Sequence, residues 1–140
     1  MTHYLVPTDG SEQATEALRH VLERDADPEV TVLYVVELGR TGPEEFTPKW
    51  VDAELQHDAE KRAEETLEDA QSLAAEYDLE IETATAMGKP ARSIVEYAEK
   101  ADVDHVVMGS HGRDGLSRVL LGSVAETVVR RASVPVTVVR

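Results

Sequence analysis

From one end of the chain to the other, short apolar runs alternate with stretches in which apolar residues recur at spacings of three and four. Tyr4-Leu5-Val6 stops at Pro7-Thr8-Asp9-Gly10-Ser11, after which Ala14, Ala17, Leu18, Val21 and Leu22 mark one face of a helix. Val30 to Val36, after the breaker Asp27-Pro28, is β-branched and long enough for a strand buried on both faces. Leu38 to Pro48 carries Gly39, Gly42, Pro43 and Pro48 without a period and reads as a loop. A long helix follows, its stripe running through Val51, Leu55, Ala59, Ala63, Leu67, Ala70, Ala74 and Tyr77, with the intervening charges facing water.

Leu79 to Ala86 alternates as a third strand with one face less buried, and Gly88-Lys89-Pro90 turns the chain, with Pro90 suited to a first helical turn. Ile94, Val95, Ala98 and Ala101 stripe the next helix, and His105 to Met108 forms a fourth strand running into Gly109. Leu121, Val124, Ala125, Val128 and Ala132 give a last helix and Val134 to Val139 a final strand. The resulting order, β-α-β-α-β-α-β-α-β, predicts an α/β fold: an open, twisted, mostly parallel five-stranded sheet with helices on both faces.

Composition narrows the function. With 140 residues, 41% of them hydrophobic, the chain has material for one core, and one domain spanning 1–140 is expected. The absence of cysteine removes disulfides and thiolate chemistry, and the longest apolar runs fall far short of the roughly 20 residues that span a bilayer. These features lead us to expect a soluble, cytoplasmic protein. Fourteen basic against 28 acidic side chains leave a formal charge of −14, which disfavours nucleic acid and anionic membranes as partners, since both demand basic residues.

In a doubly wound sheet the ligand lies beyond the carboxyl ends of the strands where their order reverses, which directs attention to the loops after the first and fourth strands. The fourth ends in Met108-Gly109-Ser110-His111-Gly112, and after the nine residues 113–121 come Gly122-Ser123 at a helix start. Glycines permit close backbone approach, and the N–H groups of a helix start attract anions, so a phosphate is the expected guest. Neither a Walker A loop nor the G-x-G-x-x-G dinucleotide fingerprint is present. Asp9, at a strand end, is an acceptor suited to a ribose hydroxyl or an adenine amino group, and equally to opening an Asx turn ahead of the first helix. Ser123 has the chemistry both to donate to phosphate and to cap the last helix. Arg113 is the cation of the loop's first half, suited to a phosphate oxygen. No carboxylate cluster marks a protein-only metal site.

The pattern G-x-x-G, nine residues, then G-S resembles the nucleotide-binding signature of the ATP-binding branch of the universal stress protein family. The resemblance extends to the first strand ending in Pro7-Thr8-Asp9-Gly10-Ser11-Glu12, the Gly88-x-Pro90 turn, the Asp104 strand ending in Met108-Gly109, and the closing Pro135-Val136-Thr137-Val138-Val139. It implies ATP, accompanied by Mg²⁺, lying across the sheet end. Adenine and ribose would lie near Pro7, Thr8, Asp9 and Val35, with Met108 lining the base side. The triphosphate would meet amides and hydroxyls of Gly109, Gly112, Gly122, Ser123 and Val124. It also implies a homodimer through Val134 to Val139, a strand whose apolar residues would otherwise leave a bare sheet edge. The function expected is an ATP-dependent stress-response or regulatory module without dedicated catalysis. The alternatives are a nucleotide-free dimeric scaffold of the same family, or a slow ATP hydrolase or phosphotransferase, which would lack an evident general base.

Overall fold

The computed structural model describes residues 1–37, 49–110 and 121–140. Five strands and four helices alternate: β1 His3–Thr8, α1 Glu12–Arg24, β2 Glu29–Val36, α2 Lys49–Glu76, β3 Glu82–Met87, α3 Pro90–Lys100, β4 His105–Gly109, α4 Ser123–Arg131 and β5 Val136–Val139. The strands pair in the order β3-β2-β1-β4-β5, every pair parallel. From β1 the chain builds outward through β2 and β3, then returns to place β4 on the other side of β1. The order therefore reverses between β1 and β4, the point where α/β sheets open a crevice at their carboxyl ends.

Strand side chains alternate between two cores because successive residues point to opposite faces. Val6, Val32, Tyr34 and Val107 pack on one face with Leu18 and Val21 of α1 and Ala63, Leu67 and Ala74 of α2. Leu5, Leu33, Val106 and Met108 pack on the other with Ile94 and Ala98 of α3 and Ala125 and Val128 of α4. Leu5, Val6, Leu33 and Val106 are wholly buried. All five apolar positions expected for α1 are buried. Ser11 caps that helix, its Oγ accepting from the Ala14 N–H at 3.2 Å, a contact type that contributes about 1 kcal/mol.

Several boundaries differ from the periodicity. β3 begins at Glu82, three residues later than Leu79, because those residues close α2 instead. Asp78 takes the left-handed conformation (φ 58°), and the Leu79 N–H donates to the Ala74 carbonyl at 3.0 Å, so Leu79 turns its amide to the helix. β5 begins at Val136, after Pro135, which has no N–H to give a ladder. Leu55 and Leu121, both assigned to helix stripes, are exposed, and Leu121 precedes α4. The expected loop from Leu38 to Pro48 lies outside the described residues.

Candidate functional site

A cavity of about 430 Å³ opens at the carboxyl ends of the strands, over the reversal between β1 and β4. Its floor is the ends of three strands: Pro7 and Thr8 of β1 with Asp9 just beyond, Tyr34 to Glu37 at the end of β2, and Met108 and Gly109 of β4 with Ser110 after it. Ser11 and Ala14 from the start of α1, with Ala59 and Arg62 of α2, form one wall. Pro90 and Ile94 of α3, with Gly122 to Ala125 at the start of α4, form the other. Nine of the eleven residues expected at a nucleotide site thus share one cavity: Pro7, Thr8, Asp9, Val35, Met108, Gly109, Gly122, Ser123 and Val124. The remaining two, Gly112 and Arg113, lie outside the described residues.

The β1–α1 turn is held by its own side chains. Thr8 Oγ1 accepts from the Gly10 N–H at 3.1 Å, and Asp9 Oδ1 accepts from the Ser11 N–H at 2.9 Å. Asp9 therefore does form an Asx turn, which fixes its carboxylate at the cavity and commits one oxygen to the backbone. Gly10 supplies the positive φ (82°) the turn needs.

Two expectations at the other wall are corrected. Gly122, not Ser123, is the N-cap of α4, and no side chain caps the helix; Ser123 is the first helical residue, its carbonyl accepting from Thr127 Oγ1 at 2.9 Å. Nor is the Gly122 amide a donor to a ligand, since it already donates to the Ser110 carbonyl at 2.7 Å. That bond, with Ser110 N–H donating to the Val139 carbonyl at 2.9 Å, locks the end of β4 to the beginning of α4. Because the first N–H groups of a helix have no partner within it, those of Ser123, Val124 and Ala125 are what this wall offers an anion.

Gly109 has a packing reason beside any functional one. A Cβ there would stand 2.8 Å from Gln13 Cβ and 2.9 Å from the Gln13 carbonyl carbon, so α1 can sit against the end of β4 only with glycine at this position.

Three formal charges line the cavity among the described residues: Asp9, Glu37 and Arg62. The sequence reading did not single out Glu37 and Arg62. Arg62 belongs to a helix face read as solvated, and only its spacing of three from the stripe residue Ala59 hinted otherwise. Chemically, the arrangement presents helix-start amides, hydroxyls and a fixed carboxylate on an apolar floor. Such a set suits a ligand with an anionic end and a flat or hydroxylated end. Among the described residues, no group of three or more histidines and carboxylates is placed to hold a metal, and no helix is long and apolar enough to cross a membrane.

The family model described as the universal stress protein family matches residues 1–140. A universal stress protein of Methanocaldococcus jannaschii is 40% identical over 139 residues, which cover 97% of this chain and 80% of that one. The solved structure of the universal stress protein UspA from Lactobacillus plantarum superposes with a TM-score of 0.87 at 28% identity, covering 99% of this chain and 97% of that one. A universal stress protein solved in complex with cAMP shares the fold with a TM-score of 0.73 at 24% identity, covering 99% of this chain and 97% of that one.

Proposed function

The chain belongs to the universal stress protein family, and on that premise we propose that it is an adenine-nucleotide-binding regulatory module whose ligand is ATP. The observation that carries this reading is the cavity at the strand-order reversal, walled on one side by the uncapped start of α4. A helix N-terminus carries partial positive charge and unpartnered donors, both directed at the ligand. Hydrogen bonds to a charged partner contribute about 1.5 to 3 kcal/mol each, so two or three amides offset the general repulsion between a polyphosphate and a protein of formal charge −14.

In this reading adenine and ribose lie over Pro7, Thr8, Asp9 and Val35, with Met108 on the base side. The second Asp9 oxygen is left for a ribose hydroxyl. The phosphates lie along Gly109, Ser123 and Val124, with Gly122 shaping the wall and Gly112 and Arg113 completing the phosphate side. The donors are amides and hydroxyls, which fit phosphate oxygens, so Mg²⁺ would be carried by the phosphates and water with little help from protein carboxylates. The cAMP complex of a protein with the same fold supports the adenine-nucleotide class. Calorimetric titration with ATP, ADP and AMP in Mg²⁺ is expected to show saturable binding that tightens with phosphate number. Heat no greater than dilution for all three would contradict the reading.

The same proposal takes residues 1–140 as one domain acting as a cytoplasmic homodimer. β5 lies at a sheet edge, paired only with β4, and all four of its residues are half-buried and half-open. An edge of Val136, Thr137, Val138 and Val139 invites pairing with a second copy. Sedimentation velocity at micromolar concentration is expected to give the mass of two chains, and the 15.4 kDa monomer would count against it.

A further inference from the structure

The long second helix outreaches the sheet it covers. At 28 residues α2 is about 42 Å long, whereas the eight residues of β2 span about 26 Å. The α2 side chains buried in the core, Ala63, Leu67 and Ala74, all lie in its later part. Upstream of Ala63 the described side chains are exposed except for Ala59, which packs partly against the core. The earlier part of α2 therefore projects past the carboxyl end of the sheet, and Ala59 and Arg62, three residues apart on one helix face, line the ligand cavity.

Arg62 lacks the intrahelical ion pair that three other helical arginines of this chain form. Arg19 pairs with Glu16, Arg92 with Glu96 at 3.0 Å, and Arg130 with Glu126 at 2.7 Å, each within its own helix. Asp58 and Glu65 stand four residues before and three after Arg62, the spacings that allow such pairs, yet Arg62 forms an ion pair with neither. It is also the one cation lining the cavity among the described residues.

Its position within the cavity decides what it meets. The helix-start amides belong to α4, on the β4 side of β1, whereas α2 packs against β2 on the other side. A ligand with its phosphates at Ser123 and Val124 therefore turns its opposite end toward α2. We propose that Arg62 recognises the purine of the bound nucleotide, its planar guanidinium lying against the ring. This inference rests on the nucleotide reading above. A guanidinium stacks on an aromatic face and donates to ring nitrogens in a way a lysine ammonium does not reproduce. Arg62 is thus a determinant of base affinity, separate from the phosphate-binding wall.

The test is calorimetric titration of AMP and ATP into the wild-type chain, Arg62→Ala and Arg62→Lys. Both variants are expected to weaken AMP and ATP by the same factor, about 3- to 10-fold, with lysine restoring little. The position is exposed on a helix, so both variants fold. Unchanged affinities would overturn the inference while leaving the nucleotide site standing. So would a loss much larger for ATP than for AMP that lysine repairs, which would assign Arg62 to the phosphates. A wild-type chain that binds neither nucleotide would remove the premise as well.

Discussion

Replacing Gly109 with alanine is expected to destabilise the protein by about 1 to 3 kcal/mol, the usual consequence of forcing an extra methyl into a close-packed site. The added Cβ would meet the side-chain and backbone carbons of Gln13 at 2.8 and 2.9 Å, well inside contact distance. Gln13 lies in the first turn of α1, and that turn is fixed by the Ser11 cap and by Asp9 Oδ1, so α1 cannot yield locally. Relief requires moving α1 away from the end of β4, which loosens the packing of Ala17 and Leu18 and shifts the cavity floor. Chemical denaturation followed by far-UV circular dichroism measures the loss. An unchanged midpoint would show that the contact relaxes at no cost.

Gly122→Val is expected to abolish nucleotide binding, lowering affinity at least about 100-fold if two amide–phosphate contacts of about 1.5 to 3 kcal/mol are lost. The backbone itself accepts the change. Gly122 has φ −65° and ψ 158°, an extended conformation open to any residue, and its N–H to Ser110 does not depend on the side chain. What valine adds is a branched side chain at a position lining the cavity, beside the amides of Ser123 and Val124. The two glycine variants thus test two roles, Gly109 holding α1 against the sheet and, in the proposed site, Gly122 keeping space for a ligand. Titration with MgATP, alongside a thermal melt in its absence, checks that binding is lost from a folded chain.

Much of this architecture was legible because the two periods are strong where burial is complete. Leu5, Val6, Val30 to Tyr34 and Val106 are enclosed on both faces, and the α1 stripe reaches the core without exception. Periodicity failed where local hydrogen bonding or geometry overrides it. Leu79 looks like strand but gives its amide to the end of α2, and Val134 precedes a proline that has no N–H to donate. Leu55 continues the α2 stripe in sequence, yet the sheet ends before the helix does, and Leu55 is exposed. Glycine and serine spacing pointed to residues that line this cavity, but spacing alone does not say which amide is already engaged, as Gly122 is, or which glycine is demanded by packing, as Gly109 is. Arg62 was hidden among the charges of an acidic helix, because its meaning depends on how far α2 projects beyond β2.

Mass spectrometry of small molecules released by denaturing the purified protein, wild type and Gly122→Val side by side, tests the central claim most directly. The expected result is ATP released in near-stoichiometric amount from the wild-type chain and none from the variant. No nucleotide from either, together with no uptake of added MgATP by the wild-type chain, would contradict the nucleotide-binding function and favour a dimeric scaffold that works without one.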